Sequence, residues 1–431
     1  MHPFSLSNRA LLARRPCLLL AASLLCSLAL AQGKGPASRS ASGSGAGEVR
    51  IAHIRSTTGP LEAYGKQTTT GFMMGLEYAT EGTMMVAGKR IVVIEKDDQG
   101  KPDLGKSLLA AAYADDRADI AVGPTASGVA LAMLPVAEEF KKILLVEPAV
   151  ADSITGDKWN RYIFRTGRNS SQDAIANAVA LDKPGVVIAT LGQDSAFGRD
   201  FVAAFKDAVK SARIVHEEYL PGNTTDFTAA AQRLVDKFKA YPAERKVVFI
   251  NWAGGGGNPF KIADLDLKRH GIEIATGGNI LPAMVQFGNF PGMQGASYYY
   301  YAFARNPANM WLVTNHYSRY KSPPDFFTAG GFSSAMALVA ALRKTQGDAS
   351  TPKLLAAMEG MSFETPKGIM TFRREDHQAM QSMYHFRVAP GARPGSIPDL
   401  YLVKEIKASE MNVPIRNKTQ VATEATGTVA R

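Results

Sequence analysis

Short runs of aliphatic and β-branched residues alternate with longer helix-like stretches in the first third of the chain. The apolar runs lie at 49–54, 90–95, 119–122 and 142–147, and helix-like stretches separate them at 62–80, 104–116 and 127–140. Because the runs are continuous rather than alternating, they predict strands that are buried on both faces. Strands that alternate with helices predict a parallel sheet with right-handed crossovers.

The same alternation begins again after residue 168. Strands are predicted at 185–191, 213–219, 246–251 and 272–277, and helices at 171–181, 196–211, 226–240 and 258–270. The pattern therefore indicates two α/β lobes in series, which is a repeated architecture and not a short-period sequence repeat.

The last third of the chain lacks the full strand–helix rhythm. An aromatic, β-prone segment at 297–303 is followed by predicted helices at 307–320, 326–345 and 351–359, and then by predicted strands at 368–373, 382–388 and 399–405. Because this portion does not make a domain of its own, we expect it to complete the two earlier lobes. The chain would then cross between the lobes more than once.

Residues 1–31 have the features of a secretory signal peptide. Basic residues precede an apolar run at 17–31, which ends in the Ala-Leu-Ala pattern that signal peptidase requires. The run is shorter than the ~20 apolar residues of a spanning helix. We therefore expect cleavage after Ala31, and a lipoprotein acylated at Cys26 is the alternative. Both cysteines, Cys17 and Cys26, lie in this segment, so packing and not disulfides must stabilise the exported protein.

The termini and the charge set further bounds. Residues 32–48 are rich in Gly, Ser and Ala and predict a flexible leader, and residues 408–431 are polar and predict a disordered tail. The length between them suits two domains of ordinary size. The net charge is +10, but basic residues are scattered among acids. Without a basic stripe interleaved with aromatics, the sequence argues against a nucleic-acid partner.

Motifs of familiar catalytic sites are missing from the sequence. It contains no Gly-x-Ser-x-Gly, no His-Glu-x-x-His and no Walker A motif. Glycines at 254–257 follow a predicted strand, but Pro259 occupies the place of the last glycine of a dinucleotide fingerprint. We therefore expect no catalytic residue, no metal and no cofactor. A periplasmic hydrolase would need a nucleophile paired with a base, and no such pair is visible.

Loops that follow predicted strands have the chemistry of a ligand site. Ser127 follows the strand at 119–122 and begins a helix, so it could bind a carboxylate with the helix N–H groups, although it could also serve only as a helix cap. Small residues at 149–151 would let a ligand approach the backbone. Tyr64 and Phe197 would place aromatic faces at strand ends, and core packing is the alternative for Tyr64.

Taken together, these segments resemble the type I periplasmic binding proteins of the branched-chain amino acid class, over about residues 49–405. The matching pieces are Thr58-Gly59-Pro60, Ala63-Tyr64-Gly65, Asp97-Asp98, Val122 to Ser127, Pro148-Ala149, Phe164-Arg165-Thr166, Asp194 to Gly198 and Thr225 to Thr228. No single piece is specific, but their order and spacing together are.

The resemblance implies an α/β fold of two Rossmann-like lobes with parallel sheets and a three-segment hinge. The crossovers would lie near 166, 297 and 371, with lobe 1 formed by 49–166 and 298–370 and lobe 2 by 167–297 and 371–407. The resemblance further implies a monomer in the periplasm that delivers a small solute to the permease of an ABC importer in the inner membrane. A ligand-sensing receptor module of the same fold is the alternative.

Family members also imply roles for individual residues. A serine matching Ser127 binds the ligand carboxylate, and backbone groups matching Ala149 and Ala151 bind the carboxylate and the ammonium. Aromatic residues matching Tyr64 and Phe197 enclose the ligand. The other candidate ligand-binding positions on these loops are Ala126, Val150, Gly255, Gly256 and Asn279.

Two departures from the family pattern bear on the ligand. The amino acid binders have an aromatic where this chain has Gly255 and Gly256, and an acid near Asn279 that binds the ammonium. Between 271 and 287 this chain has one acid, Glu273, which lies within the predicted strand. Burying an ammonium without an anionic partner costs several kcal/mol. A carboxylate without the amine, an aromatic acid or an amide-like solute would suit this pocket, unless Asp152 or Glu147 supplies the charge.

Overall fold

The computed structural model describes residues 47–254 and 258–417, with the backbone alone for 263–265. The predicted signal peptide, the leader up to residue 46 and the tail from residue 418 lie outside the described residues. The first group of elements is β1 (Glu48–Arg55), α1 (Glu62–Ala79), β2 (Met85–Val86), β3 (Lys89–Asp97), α2 (Pro102–Ala114), β4 (Ile120–Val122), α3 (Ser127–Phe140), β5 (Ile143–Val146) and β6 (Ile163–Arg165).

These strands form one sheet in the order β2-β3-β1-β4-β5-β6. All neighbours pair in parallel except the short edge strand β2, which is antiparallel to β3. The strands β4 and β5 are buried along their whole length. Burial on both faces is the reason that the sequence shows continuous apolar runs here, and it requires helices on both sides of the sheet.

The second group forms a parallel sheet in the order β10-β9-β7-β8. Its elements are α4 (Ser170–Leu181), β7 (Val186–Gln193), α5 (Ala196–Ala208), β8 (Arg213–Leu220), α6 (Thr228–Phe238), β9 (Arg245–Asn251), β10 (Ile272–Thr276), α7 (Leu281–Met284) and β11 (Gln294–Ser297). Helix α4 begins with a capping box in which Asn169 and Gln172 satisfy each other's backbone N–H groups. This cap fixes the point where the chain leaves the first sheet for the second.

The last third of the chain divides between the two units. It comprises α8 (Pro307–Tyr320), α9 (Phe326–Lys344), α10 (Thr351–Met358), β12 (Ser362–Thr365), β13 (Gly368–Phe372), β14 (Ala379–Met380), β15 (Met383–Val388) and β16 (Leu400–Ile406). Together with β11, its strands form two antiparallel sheets, β12-β13-β14 and β11-β15-β16. Leu338 of α9 and Phe372 of β13 pack in the same core cluster as Ile51 of the first sheet. Phe386 of β15 packs instead with Val248 of the second sheet. Within the described residues, the chain therefore passes between the two units in three places, after β6, after β11 and after β14.

Helix α1 packs against α9 through glycines. A Cβ atom at Gly71 would lie 1.9 Å from the carbonyl oxygen of Thr328, and one at Gly331 would lie 2.1 Å from that of Thr68. Only a hydrogen in place of a side chain permits this approach of the two backbones. Among the described helices, α9 alone is long and apolar enough to cross a membrane, but 83% of its most apolar window is buried inside the protein. Such burial is typical of a core helix.

Two predictions of local structure are wrong. The segment 258–270 forms two 3₁₀ segments, Pro259–Leu265 and Leu267–His270, because Asp266 between them is left-handed with φ 63°. The aromatic segment 297–303 begins at the end of β11, with Tyr298 and Tyr299 in the core cluster between the two units and Tyr300 in the core of the second sheet.

The predicted disordered tail is also wrong for residues 408–417. Met411 and Val413 are buried, with 3% and 6% of their surface exposed. The guanidinium of Arg416 donates to Asp152 at 2.9 Å. Two apolar anchors and the ion pairs of Arg416 with Asp152 and Asp207 hold this segment on the protein, although its overall composition is polar.

Candidate functional site

A cavity of about 580 Å³ lies where the carboxyl ends of the strands of both parallel sheets converge. The first unit contributes the loops after β1, β4 and β5, and the second contributes the loops after β7, β9 and β10. This position follows from topology, because ligands of open α/β sheets bind beyond the carboxyl ends of the strands. The volume is in the range of small-molecule sites.

Most of the predicted site residues meet in this cavity. Those that line it are Tyr64, Ala126, Ser127, Ala149, Val150, Phe197 and Asn279. Ala151 lies just behind the wall, where its N–H group donates to the hydroxyl oxygen of Ser127 at 3.1 Å. Gly255 and Gly256 lie outside the described residues. Their roles as ligand contacts stay predictions.

Ser127 is the first residue of α3, and Ala126 is the N-cap residue. The oxygen of the Ser127 side chain accepts hydrogen bonds from the N–H groups of Val150 (3.3 Å) and Ala151 (3.1 Å). The hydroxyl is therefore not used as a helix cap, and its own O–H group is left to donate to an acceptor. The loops after β4 and β5 are thus joined at Ser127.

The turn before Ser127 depends on a glycine. Gly123 has φ +126°, and a Cβ atom there would lie 1.8 Å from the carbonyl oxygen of Ile54. This close approach brings the loop after β4 against the end of β1, where the Ser56 N–H donates to the hydroxyl of Thr125 at 3.0 Å. The backbone of the Ser127 loop is therefore fixed before any ligand binds.

The backbone groups of Ala149 and Ala151 already have partners inside the protein. The N–H group of Ala149 donates to the carbonyl of Pro124 at 3.3 Å. The carbonyl oxygens of Ala149 and Ala151 accept from the buried guanidinium of Arg165 at 3.5 and 2.7 Å. A ligand would share or displace these bonds, whereas the O–H group of Ser127 is available without such exchange.

Tyr64 spans the cavity between the two units. Its hydroxyl accepts from the N–H group of Gly254 at 2.9 Å and donates to Oδ1 of Asn279 at 3.1 Å. Its ring lies against Phe327, with the centroids 4.4 Å apart. Burial raises the pKa of the tyrosine, so the hydroxyl keeps its proton near neutral pH. The structure therefore shows the two units closed upon each other at this point.

Replacing Tyr64 by phenylalanine should weaken ligand binding about 10-fold, because two hydrogen bonds that hold the closed form are lost. Calorimetric titration with any ligand of the wild-type protein measures the change. Tyr401→Phe is the control, since Tyr401 is 55% exposed and lies off the cavity. Equal affinity of Tyr64→Phe and the wild type would show that this bridge contributes nothing to closure.

Asp325 makes a second link between the units that the sequence did not reveal. Its carboxylate accepts from the N–H groups of Leu281 (2.9 Å) and Phe326 (2.7 Å), and from the side-chain amide of Gln67 (2.9 Å). Burial raises the pKa of Asp325 to about 6 despite these bonds. The carboxylate thus connects α1 and α9 of the first unit with the start of α7.

The cavity also contains a charged pair that sequence reasoning missed. Arg168 and Asp173 line its floor, and Nε of Arg168 lies 3.2 and 3.1 Å from the two carboxylate oxygens of Asp173. Burial raises the pKa of Asp173, and the charge of Arg168 opposes that shift. The available signal was an arginine two residues after the Phe164-Arg165-Thr166 match, followed by an acid in the first turn of the next helix.

The two acids suggested as ammonium partners lie elsewhere. Asp152 accepts from the N–H group of Ser171 at 2.9 Å and pairs with Arg416, and it does not line the cavity. Glu147 is buried beneath the cavity, where one oxygen accepts from the hydroxyl of Thr166 at 3.0 Å. Burial raises the pKa of Glu147. Neither carboxylate therefore reaches a ligand in this arrangement.

Comparisons with known proteins agree with this geometry. The model of the family described as periplasmic binding protein matches residues 48–393. A Leu/Ile/Val-binding protein homolog 6 of Brucella suis biovar 1 (strain 1330) is 25% identical over 379 residues, which are 84% of this chain and 92% of that protein.

Two solved structures are similar over most of the chain. An ABC-type branched-chain amino acid transporter from Rhodopseudomonas palustris CGA009 is 62% identical, with a TM-score of 0.77, and covers 86% of this chain and 100% of its own. A solute-binding protein of an ABC transporter from Rhodopseudomonas palustris BisB5, solved with 3,4-dihydroxybenzoic acid, is 27% identical, with a TM-score of 0.73, and covers 85% and 99%.

Two α/β units that close over a cavity at their strand ends define a two-lobed solute-binding protein. The chain belongs to the periplasmic binding protein family. It is a periplasmic solute-binding protein of the kind that works with ABC transporters. The resemblance drawn from the sequence and the predicted two-lobed α/β fold are both confirmed. Among the described residues, no group of three or more His, Cys, Asp or Glu side chains is placed to hold a metal ion.

Proposed function

We propose that this protein captures a small carboxylate-bearing solute in the cavity between its lobes and delivers it to the permease of an ABC importer. The observation that carries the proposal is the geometry of Ser127. Its oxygen is held by two backbone N–H groups, and its O–H group remains available at the amino end of α3. A hydroxyl beside a helix N-terminus suits an anionic oxygen.

The walls of the cavity support a ligand with an apolar body. The aromatic side chains that line it are Tyr64, Phe197, Phe201, Phe249, Trp252, Phe326 and Phe327. The similar proteins are consistent with either an aliphatic or an aromatic ligand body. One is named a Leu/Ile/Val-binding protein homolog, and another was solved with 3,4-dihydroxybenzoic acid. Lobe closure about the three connecting segments would enclose the solute.

Ser127→Ala tests the proposal by calorimetry with a panel of aliphatic acids, aromatic acids, their amides and the corresponding amino acids. We expect at least one carboxylate to bind the wild-type protein, and the variant to bind it about 10-fold more weakly, because one charge-assisted hydrogen bond is lost. Ser107→Ala is the matched control, since Ser107 is exposed on α2 and its hydroxyl donates only to the carbonyl of Asp103.

The outcomes of this titration test the proposed function and the role of Ser127 separately. A panel in which nothing binds the wild-type protein would contradict the proposed function. A carboxylate that binds Ser127→Ala and the wild type equally would contradict the role of Ser127 alone.

A further inference from the structure

Arg168 lies on the first connection between the lobes, between β6 and the capping residue of α4. Its Nε atom contacts both oxygens of Asp173. The rings of Tyr298 and Phe326 flank the guanidinium, each with its centroid 4.9 Å from the central carbon. Although only 8% of the residue is exposed, it lines the cavity.

The terminal nitrogens of Arg168 make no hydrogen bond to any other residue that the structure describes. A guanidinium carries five N–H donors, and its planar end matches a carboxylate in a bidentate arrangement. The ion pair and the two rings hold the plane in one orientation. The side chain is therefore prepared to bind an anion with little loss of conformational freedom.

The charges around the cavity favour an anion without an amine. Among the described lining residues, Arg168 and Asp173 are the only charged ones. Asp173 is already paired with Arg168, so an ammonium at that acid would lie beside the guanidinium. The polar side chains that the second lobe contributes from β7, from the loop after β8 and from β9 include the neutral amides of Gln193, Asn223 and Asn251. A buried ammonium without its own anionic partner is costly.

We propose that Arg168 selects the solute by charge, so that the free end of its guanidinium binds the ligand carboxylate and organic acids are preferred over the corresponding amino acids. This inference rests on the proposed function. Asp173 is the positioning residue that orients the guanidinium. Ser127 supplies a second donor, and the aromatic walls contact the apolar body of the acid.

Matched ligand pairs test the inference by calorimetry on the purified protein at pH 7. The pairs are benzoate with benzamide, 4-methylpentanoate with leucine, and 3-phenylpropanoate with phenylalanine. We expect each acid that binds to do so about 100-fold more tightly than its amide or amino acid, as expected for a desolvated, charge-assisted pair. In Arg168→Met the ratio of acid to amide affinity should fall about 10-fold, because Ser127 still favours the carboxylate, and Arg168→Lys should restore part of it.

The acid-to-amide ratio distinguishes charge recognition from damage to the pocket, because damage weakens both ligands alike. Arg269→Met is the control, since Arg269 is exposed and lies away from the cavity, and it should leave every ratio unchanged. Leucine or phenylalanine binding more tightly than its deaminated analogue would overturn this inference and leave the proposed function standing. Equal losses for acid and amide in Arg168→Met would also overturn it. A panel in which nothing binds the wild type would overturn both.

Discussion

Replacing Gly71 by alanine should lower the free energy of unfolding by about 3 kcal/mol, because the added methyl group cannot fit between α1 and α9. Its Cβ would lie 1.9 Å from the carbonyl oxygen of Thr328 and 2.9 Å from the Cα atom of that residue. Both are backbone atoms, so relief requires the two helices to separate. Urea denaturation followed by circular dichroism measures the loss.

The helix propensity of alanine makes this a stringent test, since alanine is about 1 kcal/mol more favourable than glycine inside an exposed helix. Gly128→Ala in α3 is the matched control, because a Cβ atom there meets nothing within 4 Å. We expect Gly128→Ala to keep or raise stability. If Gly71→Ala were as stable as the wild type, the close packing of the two helices would be wrong.

The strands of both sheets could be predicted because their apolar runs report burial on both faces. The run at 49–54 became Glu48–Arg55, and the run at 246–251 became Arg245–Asn251. The failure at 258–270 has a local cause that composition does not show, namely the left-handed conformation of Asp266. Periodicity identifies which face of an element is apolar, but it does not identify a single residue whose left-handed backbone conformation interrupts a helix.

Part of the candidate site could be predicted for a similar reason. Ser127 and Phe197 lie directly after predicted strands, and the ends of parallel strands meet at one edge of a sheet. Arg168 and Asp173 follow no such rule, because their place depends on how the connection between the lobes folds. The contact of Arg168 with the rings of Tyr298 and Phe326 joins segments more than 100 residues apart in the chain.

Replacing Arg165 by methionine should lower the free energy of unfolding by about 3 kcal/mol, because buried acceptors lose their donor. Arg165 is fully buried at the end of β6. Its guanidinium donates to Gln378 at 2.6 Å, to the carbonyl of Ala151 at 2.7 Å and to the hydroxyl of Thr155. These bonds join the loop after β5 to the segment between β13 and β14.

A cost of burying the charge opposes this stabilisation. Burial lowers the pKa of Arg165 to about 10, while the negative charge of Asp152 works in the opposite direction. Methionine would remove that desolvation cost. It would also leave acceptors without a donor, at about 1–3 kcal/mol for each buried group, and the second effect is the larger. Arg165→Lys keeps the charge without the planar fork and should lose an intermediate amount.

Arg161→Met is the matched control, since Arg161 lies four residues earlier and is exposed. Surface substitutions of this kind change stability by about 0.5 kcal/mol or less. Arg165→Met should also weaken ligand binding, because the carbonyls that it releases belong to the loop that lines the cavity at Ala149 and Val150. The prediction would be wrong if the free energy of unfolding of Arg165→Met lay within about 1 kcal/mol of the wild-type value and its ligand affinity were unchanged. In that case the packing of methionine would compensate for the lost donors, and Arg165 would not hold this loop.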